Sequence, residues 1–364
     1  MTNDSAPEKW IYREHTRVKH SILKKYLPPW LIILGASHSK LCYFDGFAGR
    51  GEYEGGSPGS PLIAMEIVEE LVRKNKVKEV VPVFIEKDND NFTNLERIIK
   101  ENRYRFPNVR EPILKHDEFC NVISEIIENV GVKLAPSFFF IDPFGFTGVP
   151  FAIVKNILSI PRTEIFFTFM ARDINRFLTL DELEPVFDEL FDTTEWRSFK
   201  AKQGREKYLM ELYIQLLRKE TPAKYSWAFR VCADERIQTT YYLIHATRHF
   251  KGLKIMKDIM YREGAAGTFA YLGPADCTAR AQMVLFDDSI PSLKGFLLER
   301  FRGRTLTYYK VLEESYMDTP LIDKHYREAL KALKREGKIS IKQVSSKTER
   351  GLGENDEITF GGGD

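Results

Sequence analysis

Four carboxylates in this 364-residue chain each close an apolar run: Asp45, Glu86, Asp117 and Asp142. The runs are Cys42-Tyr43-Phe44, Val80-Val81-Pro82-Val83-Phe84-Ile85, Ile113-Leu114-Lys115-His116 and Ser137-Phe138-Phe139-Phe140-Ile141. A carboxylate at the carboxyl end of a strand can accept hydrogen bonds from ligand hydroxyls or amines, and open α/β sheets bind ligands along that edge. After Asp45 the chain turns through Gly46-Phe47-Ala48-Gly49-Arg50-Gly51. Glycines at 49 and 51 carry no Cβ and accept positive φ, so the main chain there can press against a polar ligand. Asp142 opens a second turn, Asp142-Pro143-Phe144-Gly145. Asp117, taken alone, reads equally well as a helix N-cap.

Such residues need a scaffold that brings strand ends together. Helical patterns separate the four runs, which predicts an α/β fold with a mainly parallel sheet whose carboxyl edge is lined with acids. A helix near 149–158 and a fifth strand at Thr163 to Met170 continue the alternation. Residues 180–220 are helical and charged and break it, reading as an insertion or lid. Ser226 to Val231 and Thr239 to Ile244 then form two strands across a short polar turn, followed by a helix near 249–262. Ahead of the sheet, Ile11, Val18, Ile22, Leu23, Tyr26 and Leu27 recur at helical spacing, predicting one or two helices over 9–35. Arg13, Arg17, Lys24 and Lys25 form their basic face, and Lys19-His20 is a pair with a solvated or a ligand-side reading. In Gly55 to Pro61, Ser60 is the expected cap of the next helix with Pro61 in its first turn.

Asp45 to Gly51 resembles the first motif of class I S-adenosylmethionine-dependent methyltransferases. Glu86 matches the acid those enzymes place on the ribose hydroxyls, and Asp117 the acid beside the adenine. Asp142-Pro143-Phe144-Gly145 resembles the Asp-Pro-Pro-Tyr motif of enzymes that methylate exocyclic amines of bases, and is closer still to the Asp-Pro-Phe-Gly of tRNA guanine-N2 dimethyltransferases. From residue 10 to 361 the chain resembles the three-Cys-motif partner proteins (TcmP). That resemblance implies a Rossmann-like class I methyltransferase core whose mainly parallel sheet ends in an antiparallel pair, with N-terminal helices and a C-terminal winged helix-turn-helix. It implies S-adenosylmethionine as cofactor, with Asp45, Gly46, Phe47, Ala48, Gly49, Gly51, Glu86 and Asp117 around it. It implies Asp142, Pro143, Phe144 and Gly145 at the reacting centre, and a three-cysteine-motif, radical-type partner protein.

The chemistry is coherent with those residue types. An aromatic exocyclic amine is a poor nucleophile because its lone pair enters the ring. A carboxylate such as Asp142, with a neighbouring carbonyl, can accept its N–H bonds and localise that pair, while Phe144 stacks on an extruded or single-stranded base. Phe144 and Gly145 stand where adenine-specific enzymes have proline and an aromatic residue, which leaves guanine-N2 or another base open. Cytosine-C5 chemistry is disfavoured because no Pro-Cys pair exists to supply a nucleophile. Hydride transfer is a competing reading, but glycines at 46, 49 and 51 miss the G-x-G-x-x-G spacing of dinucleotide folds. A third reading keeps the fold without the reaction, as a nucleic-acid-binding or scaffold subunit.

The last 70 or so residues have a different character. Leu293 to Phe301, Leu306 to Tyr316 and Pro320 to Gly337 read as helices, the third capped by Thr319. Ile339 to Val344 and Glu357 to Phe360 read as a two-stranded wing. On the third helix Ile322, Tyr326, Leu330 and Leu333 share one face, and Lys324, Arg327, Lys331, Lys334, Arg335 and Lys338 the other. Residues 293–350 hold 14 Lys or Arg against 8 Asp or Glu, whereas the whole chain carries only +2, and this asymmetry suits a phosphate-facing module. The expected organisation is thus an N-terminal helical segment over 1–39, the core over 40–270, a linker over 271–291 and the winged helix over 292–364. Residues 1–8 are expected to be disordered. Cys42, Cys120, Cys232 and Cys277 show no zinc spacing, so no metal site and reduced thiols in a cytoplasmic setting are expected. No apolar stretch reaches the roughly 20 residues that span a bilayer.

Overall fold

The computed structural model describes residues 11–232, 239–264, 270–271, 289–344 and 352–361. The chain divides into two compact units, one of residues 1–265 and 269–277, the other of 266–268 and 278–364. The expectations for 1–8, and for most of the linker, lie outside the described residues.

The first unit is built on β1 (Lys40–Asp45), β2 (Glu79–Glu86), β3 (Ile113–His116), β4 (Ser137–Ile141), β5 (Thr163–Phe169), β6 (Tyr225–Cys232), β7 (Thr239–Thr247) and the short β8 (Ala270–Tyr271). They form one sheet in the order β3-β2-β1-β4-β5-β7-β6-β8. Strands β1 to β5 are parallel, and β7 runs antiparallel to both β5 and β6. The expected antiparallel pair is present, and a parallel β8 follows it on the edge. The strand order reverses between β1 and β4, so their carboxyl ends open a crevice at the sheet's centre.

Both faces of the sheet are covered, which is why the central strands are apolar throughout rather than alternating. Phe138 and Phe140 point to a cluster with Tyr26, Trp30, Leu62 and Met256, whereas Phe139 and Ile141 point to one with Phe119, Phe151, Phe187 and Tyr213. The first face carries α1 (Glu14–Gly35), α2 (Ser60–Arg73) and α3 (Asn89–Asn102); the second carries α4 (Phe119–Asn129) and α5 (Phe151–Ser159). The helices α6 (Ala171–Phe177), α7 (Glu184–Phe191) and α8 (Arg205–Glu220) follow β5, and α9 (Phe250–Glu263) follows β7.

Residues 9–35 yield a single helix from Glu14, although Pro28 and Pro29 lie inside it. Each proline removes an intrahelical donor, but Tyr26, Leu27, Trp30 and Leu31 are buried on both sides of the interruption, and tertiary packing holds the helix together there. Tyr26 Oη also donates to Glu164 Oε2 (2.6 Å), which His245 Nε2 meets at 3.0 Å. This buried trio ties α1 to β5 and β7.

The helical stretch near 180–220 is no lid. Phe187, Phe191, Trp196, Leu209, Tyr213 and Leu217 are fully buried against the second face with Phe167 and Phe169. Burying side chains of this size stabilises by about 1.5–3 kcal/mol each, so the segment belongs to the core. The cap of α2 also differs from expectation. Gly59 is the N-cap and Ser60 is already helical. Gly59 N donates to Gly51 O at 2.9 Å, and a Cβ at 59 would fall 2.8 Å from that oxygen. The two limbs of the loop approach too closely for a capping side chain.

The second unit contains α10 (Ser289–Arg300), β9 (Thr305–Thr307), α11 (Tyr308–Ser315), α12 (Asp323–Arg335), β10 (Ile339–Lys342) and β11 (Glu357–Phe360). The strands form a three-stranded antiparallel sheet in the order β10-β11-β9. Leu306 and Thr307, expected to open a helix, instead lie with Thr305 in the third strand. Thr319 is not the cap of α12: its hydroxyl bonds Tyr326 Oη at 3.0 Å, and the helix starts later, where His325 Nδ1 accepts from Ile322 N at 3.1 Å. Tyr326, Ala329, Leu330 and Leu333 form the buried face of α12.

Candidate functional site

At the crevice between β1 and β4 lie two cavities. The larger, about 490 Å³, is lined by Phe47, Ala48, Gly49, Gly51, Asp142, Pro143 and Phe144 of the expected set. The smaller, about 140 Å³, is lined by Gly46, Phe47, Glu86, Asp117 and Phe144. Phe47 and Phe144 border both, so the glycine turn runs between two halves of one crevice. Asp45 and Gly145 line neither cavity.

The turn owes its path to main-chain pairing with two strands. Gly46 N donates to Phe140 O and Ala48 N to Ile85 O, both at 2.9 Å. Gly49, at φ 61°, aims its N–H at Glu86 Oε2 at 2.9 Å, and Asp88 N donates to the other oxygen at 2.8 Å. A Cβ on Gly46 would lie 2.7 Å from the Phe119 ring, so only glycine lets this strand end sit flush against α4. A carboxylate has about four lone-pair sites, and the two main-chain donors use two of Glu86's. The rest are acceptors suited to vicinal ligand hydroxyls. On the rim, Asp117 is exposed and takes N–H bonds from Glu118 (2.6 Å) and Asn121 (2.9 Å), so it steadies the start of α4 while bordering the smaller cavity. Its carboxyl is held low, first by the Asn121 amide.

Asp45 is wholly buried behind the turn. Its Oδ1 accepts from Phe47 N at 3.4 Å, and Oδ2 meets no donor among the described residues. Burial pushes its carboxyl up to about 7, against the opposing pull of the Ser60 hydroxyl. Thus the folded chain holds a proton that the unfolded chain releases above about pH 4. The stability tied to this proton is complete below that pH and is lost as pH rises to about 7. Asp45→Asn is therefore expected to stabilise the protein at pH 8 by a few kcal/mol, at about 1.4 kcal/mol per unit, by less than half of that at pH 5, and to change it little below pH 4. His20 runs the other way, its ring pulled down to about 3 chiefly by burial, so variant and wild type are compared at each pH by chemical denaturation. An equal shift at pH 5 and pH 8 would remove the buried carboxyl as its cause.

The larger cavity also gathers residues from far along the chain. Lys19 Nζ of α1 lies 2.5 Å from Asp142 Oδ2 and 5.4 Å from the centre of the Tyr241 ring. Asp142 Oδ1 is buried with no partner among the described residues. Tyr12, His20 and Tyr53 pack as tilted rings at one side, with Tyr12 and Tyr53 ring centres 4.9 Å apart and His20 Nδ1 3.1 Å from Tyr12 Oη. Arg13 and Arg172 border the same cavity with Met170 and Thr240. Of these, Lys19 and His20 stand out in the sequence as a pair and Arg13 as part of a basic face, whereas Tyr12, Tyr53, Met170, Arg172 and Thr240 carry no site signal; Lys19 has a further one. It falls on the stripe of Ile22, Leu23, Tyr26 and Trp30, an apolar face on which a lysine must find a partner.

The basic residues expected on the winged helix fall on α12 and just beyond it. Lys324, Lys331, Lys334, Arg335 and Lys338 are exposed. Arg327 is half-buried: it pairs with Asp323 Oδ2 at 2.6 Å and donates to Leu352 O, so its charge holds the wing against the helix.

The sheet order and the crevice define a Rossmann-like α/β core, followed in the chain by a winged-helix domain. Residues 275–344 match the model of the GMT-like wHTH domain. No curated protein matches the chain. Among solved structures it is similar to protein LPL1258 of Legionella pneumophila, at 12% identity and TM-score 0.42, over 72% of this chain and 94% of that one. It is similar to precorrin-6y C5,15-methyltransferase of Geobacter metallireducens at 13% identity and TM-score 0.32, over 67% and 94%. It is also similar to Trm1 of Pyrococcus horikoshii, solved with S-adenosyl-L-methionine, at 11% identity and TM-score 0.36, over 98% and 92%. No helix among the described residues is long and apolar enough to cross a membrane. Among them, no group of three His, Cys, Asp or Glu is placed to hold a metal ion.

Proposed function

We propose that this protein is an S-adenosylmethionine-dependent methyltransferase that acts on an exocyclic amine of a nucleic-acid base, and that it works as a three-Cys-motif partner protein beside a three-cysteine-motif enzyme. The observation that carries the reading is the pairing, across one glycine turn, of Glu86 with two free acceptor sites and Asp142 with an unpartnered buried oxygen. The donor set fits such a cofactor. Glu86 and Asp117 would hold the nucleoside, and Gly46 to Gly51 would lie along it. The cofactor supplies a methyl group already activated on a sulfonium, so the chain need only bind, align and exclude water. Asp142 accepts an N–H of the acceptor amine at Oδ1 and localises its lone pair. Phe144, 74% exposed at the border of both cavities, offers a face for the base.

Calorimetry with S-adenosylmethionine, S-adenosylhomocysteine and NAD tests this. Binding of the first two but not the third is expected; binding of none would overturn it. A second reading, a non-catalytic nucleic-acid-binding or scaffold subunit, draws on the ion pair that Asp142 already makes with Lys19.

For the nucleic-acid side, Lys331→Glu with Lys334→Glu is expected to weaken binding roughly tenfold or more near ~0.15 M salt, and to flatten its salt dependence, because each lost phosphate contact removes released counterions. An unchanged salt slope in a filter-binding titration would favour a protein-docking role for the winged helix.

A further inference from the structure

The residue that meets Asp142 is not part of the sheet. Lys19 reaches it from α1, 123 positions earlier in the chain. Both side chains are largely shielded, 10% exposed for Lys19 and 18% for Asp142. Further along the same helix Tyr26 is bonded to Glu164 and Lys25 pairs with Glu263 of α9, which anchors α1 against the sheet and α9. Only the four-carbon stem can swing, and it carries a compact ammonium with three donors. The Tyr241 ring gives that ammonium an aromatic face beside the carboxylate.

An ammonium on Asp142 presents the same chemistry as an amine brought by a ligand: N–H donors on a positive or polarised nitrogen. We propose that Lys19 is a displaceable internal occupant of the Asp142 subsite, and so a specificity-determining residue that admits only ligands whose own amine outcompetes it. The proposal rests on the reading of the crevice as an S-adenosylmethionine site. Oδ1 has no partner among the described residues, so the carboxylate keeps a second acceptor for an incoming N–H as Lys19 swings off Oδ2, and a bare carboxylate would be costly at this burial. A ligand's apparent affinity falls in proportion to the time the subsite stays closed. Lys19 therefore penalises amine-bearing ligands and is indifferent to ligands that stop short of Asp142.

Two probes separate these cases. S-adenosylhomocysteine carries no group where the methyl resides. Sinefungin replaces its sulfur by a carbon bearing a primary ammonium. Calorimetry of the full chain is expected to show that Lys19→Met tightens sinefungin by roughly tenfold or more while S-adenosylhomocysteine moves less than about threefold, the gap being what one displaced charge-assisted contact is worth. Lys19→Gln, which keeps a polar tip, is expected to shift the ratio in the same direction by less, and serves if the methionine variant does not fold. Adding Asp142→Asn to Lys19→Met is expected to abolish the gain. A sinefungin-to-S-adenosylhomocysteine ratio that stays at the wild-type value in both variants overturns the displacement role alone. A gain that survives loss of Asp142 overturns it too. Failure of the wild type to bind S-adenosylhomocysteine overturns the cofactor reading itself, and this proposal with it.

Discussion

Asp142→Ala is expected to all but abolish methyl transfer while S-adenosylmethionine affinity stays within a few-fold. The carboxylate stands at the tip of β4, lines the larger cavity and keeps one buried oxygen unpartnered. Removing a positioned acceptor that acts only when charge develops costs roughly 10²- to 10³-fold in rate. Truncation also strands the Lys19 ammonium, and breaking a buried pair costs about 3–5 kcal/mol. Stability and chemistry must therefore be separated. Asp142→Asn keeps the shape, and Asp142→Ala combined with Lys19→Met removes the stranded charge. Both are expected to be folded, to bind S-adenosylhomocysteine and to transfer label from methyl-labelled cofactor to nucleic acid roughly 10²- to 10³-fold more slowly than the wild type. Wild-type transfer by either variant would take Asp142 out of the mechanism.

Loss of Glu86 is expected to act on binding instead. Its two oxygens hold Gly49 N and Asp88 N, so it shapes the turn and the helix start that follows as well as facing the smaller cavity. Charge-assisted hydrogen bonds are worth about 1.5–3 kcal/mol, and losing those to a diol would raise Kd roughly 100-fold. Glu86→Ala should show that loss for both S-adenosylmethionine and S-adenosylhomocysteine. Glu86→Gln, which retains one acceptor oxygen, should fall between. A purely structural clip would give the opposite pattern: a lower thermal midpoint with unchanged affinity in whatever remains folded. Unchanged affinity in folded Glu86→Ala would assign Glu86 to the loop alone.

Much of the core was legible because its signals are local. A strand buried on both faces is a continuous apolar run, and it ends where the chain emerges at the sheet edge. Asp45, Glu86 and Asp142 therefore mark the ends of β1, β2 and β4 in the primary structure. The buried stripe of α12 and its exposed lysines follow the same way from a 3.6-residue period. Where reading failed, a distant contact had overridden a local preference. Ser60 has the chemistry of a cap, but the approach of Gly59 to Gly51 leaves no room for a side chain at the cap position. Thr319 has it too, but Tyr326 claims its hydroxyl. The charged stretch after Leu180 has helical period without strands, which fits a lid as well as a core layer; only the faces of Phe187, Trp196 and Tyr213 against the sheet decide.

For this protein the sequence by itself determined the main strands and helices of the core, their order along the chain and the carboxylates at the strand ends, though not the short strands at 270–271 and 305–307. It could not say which carboxylates reach solvent. Asp45 and Asp142 both follow apolar runs, yet one is sealed behind the glycine turn and the other lines a cavity. Nor does any local pattern pair Lys19 with Asp142, or place Phe47 and Phe144 on both halves of the crevice. Those facts depend on the strand order and on how α1 is anchored to β5 and β7, and contacts between residues more than 100 positions apart leave no periodic trace in the chain that makes them.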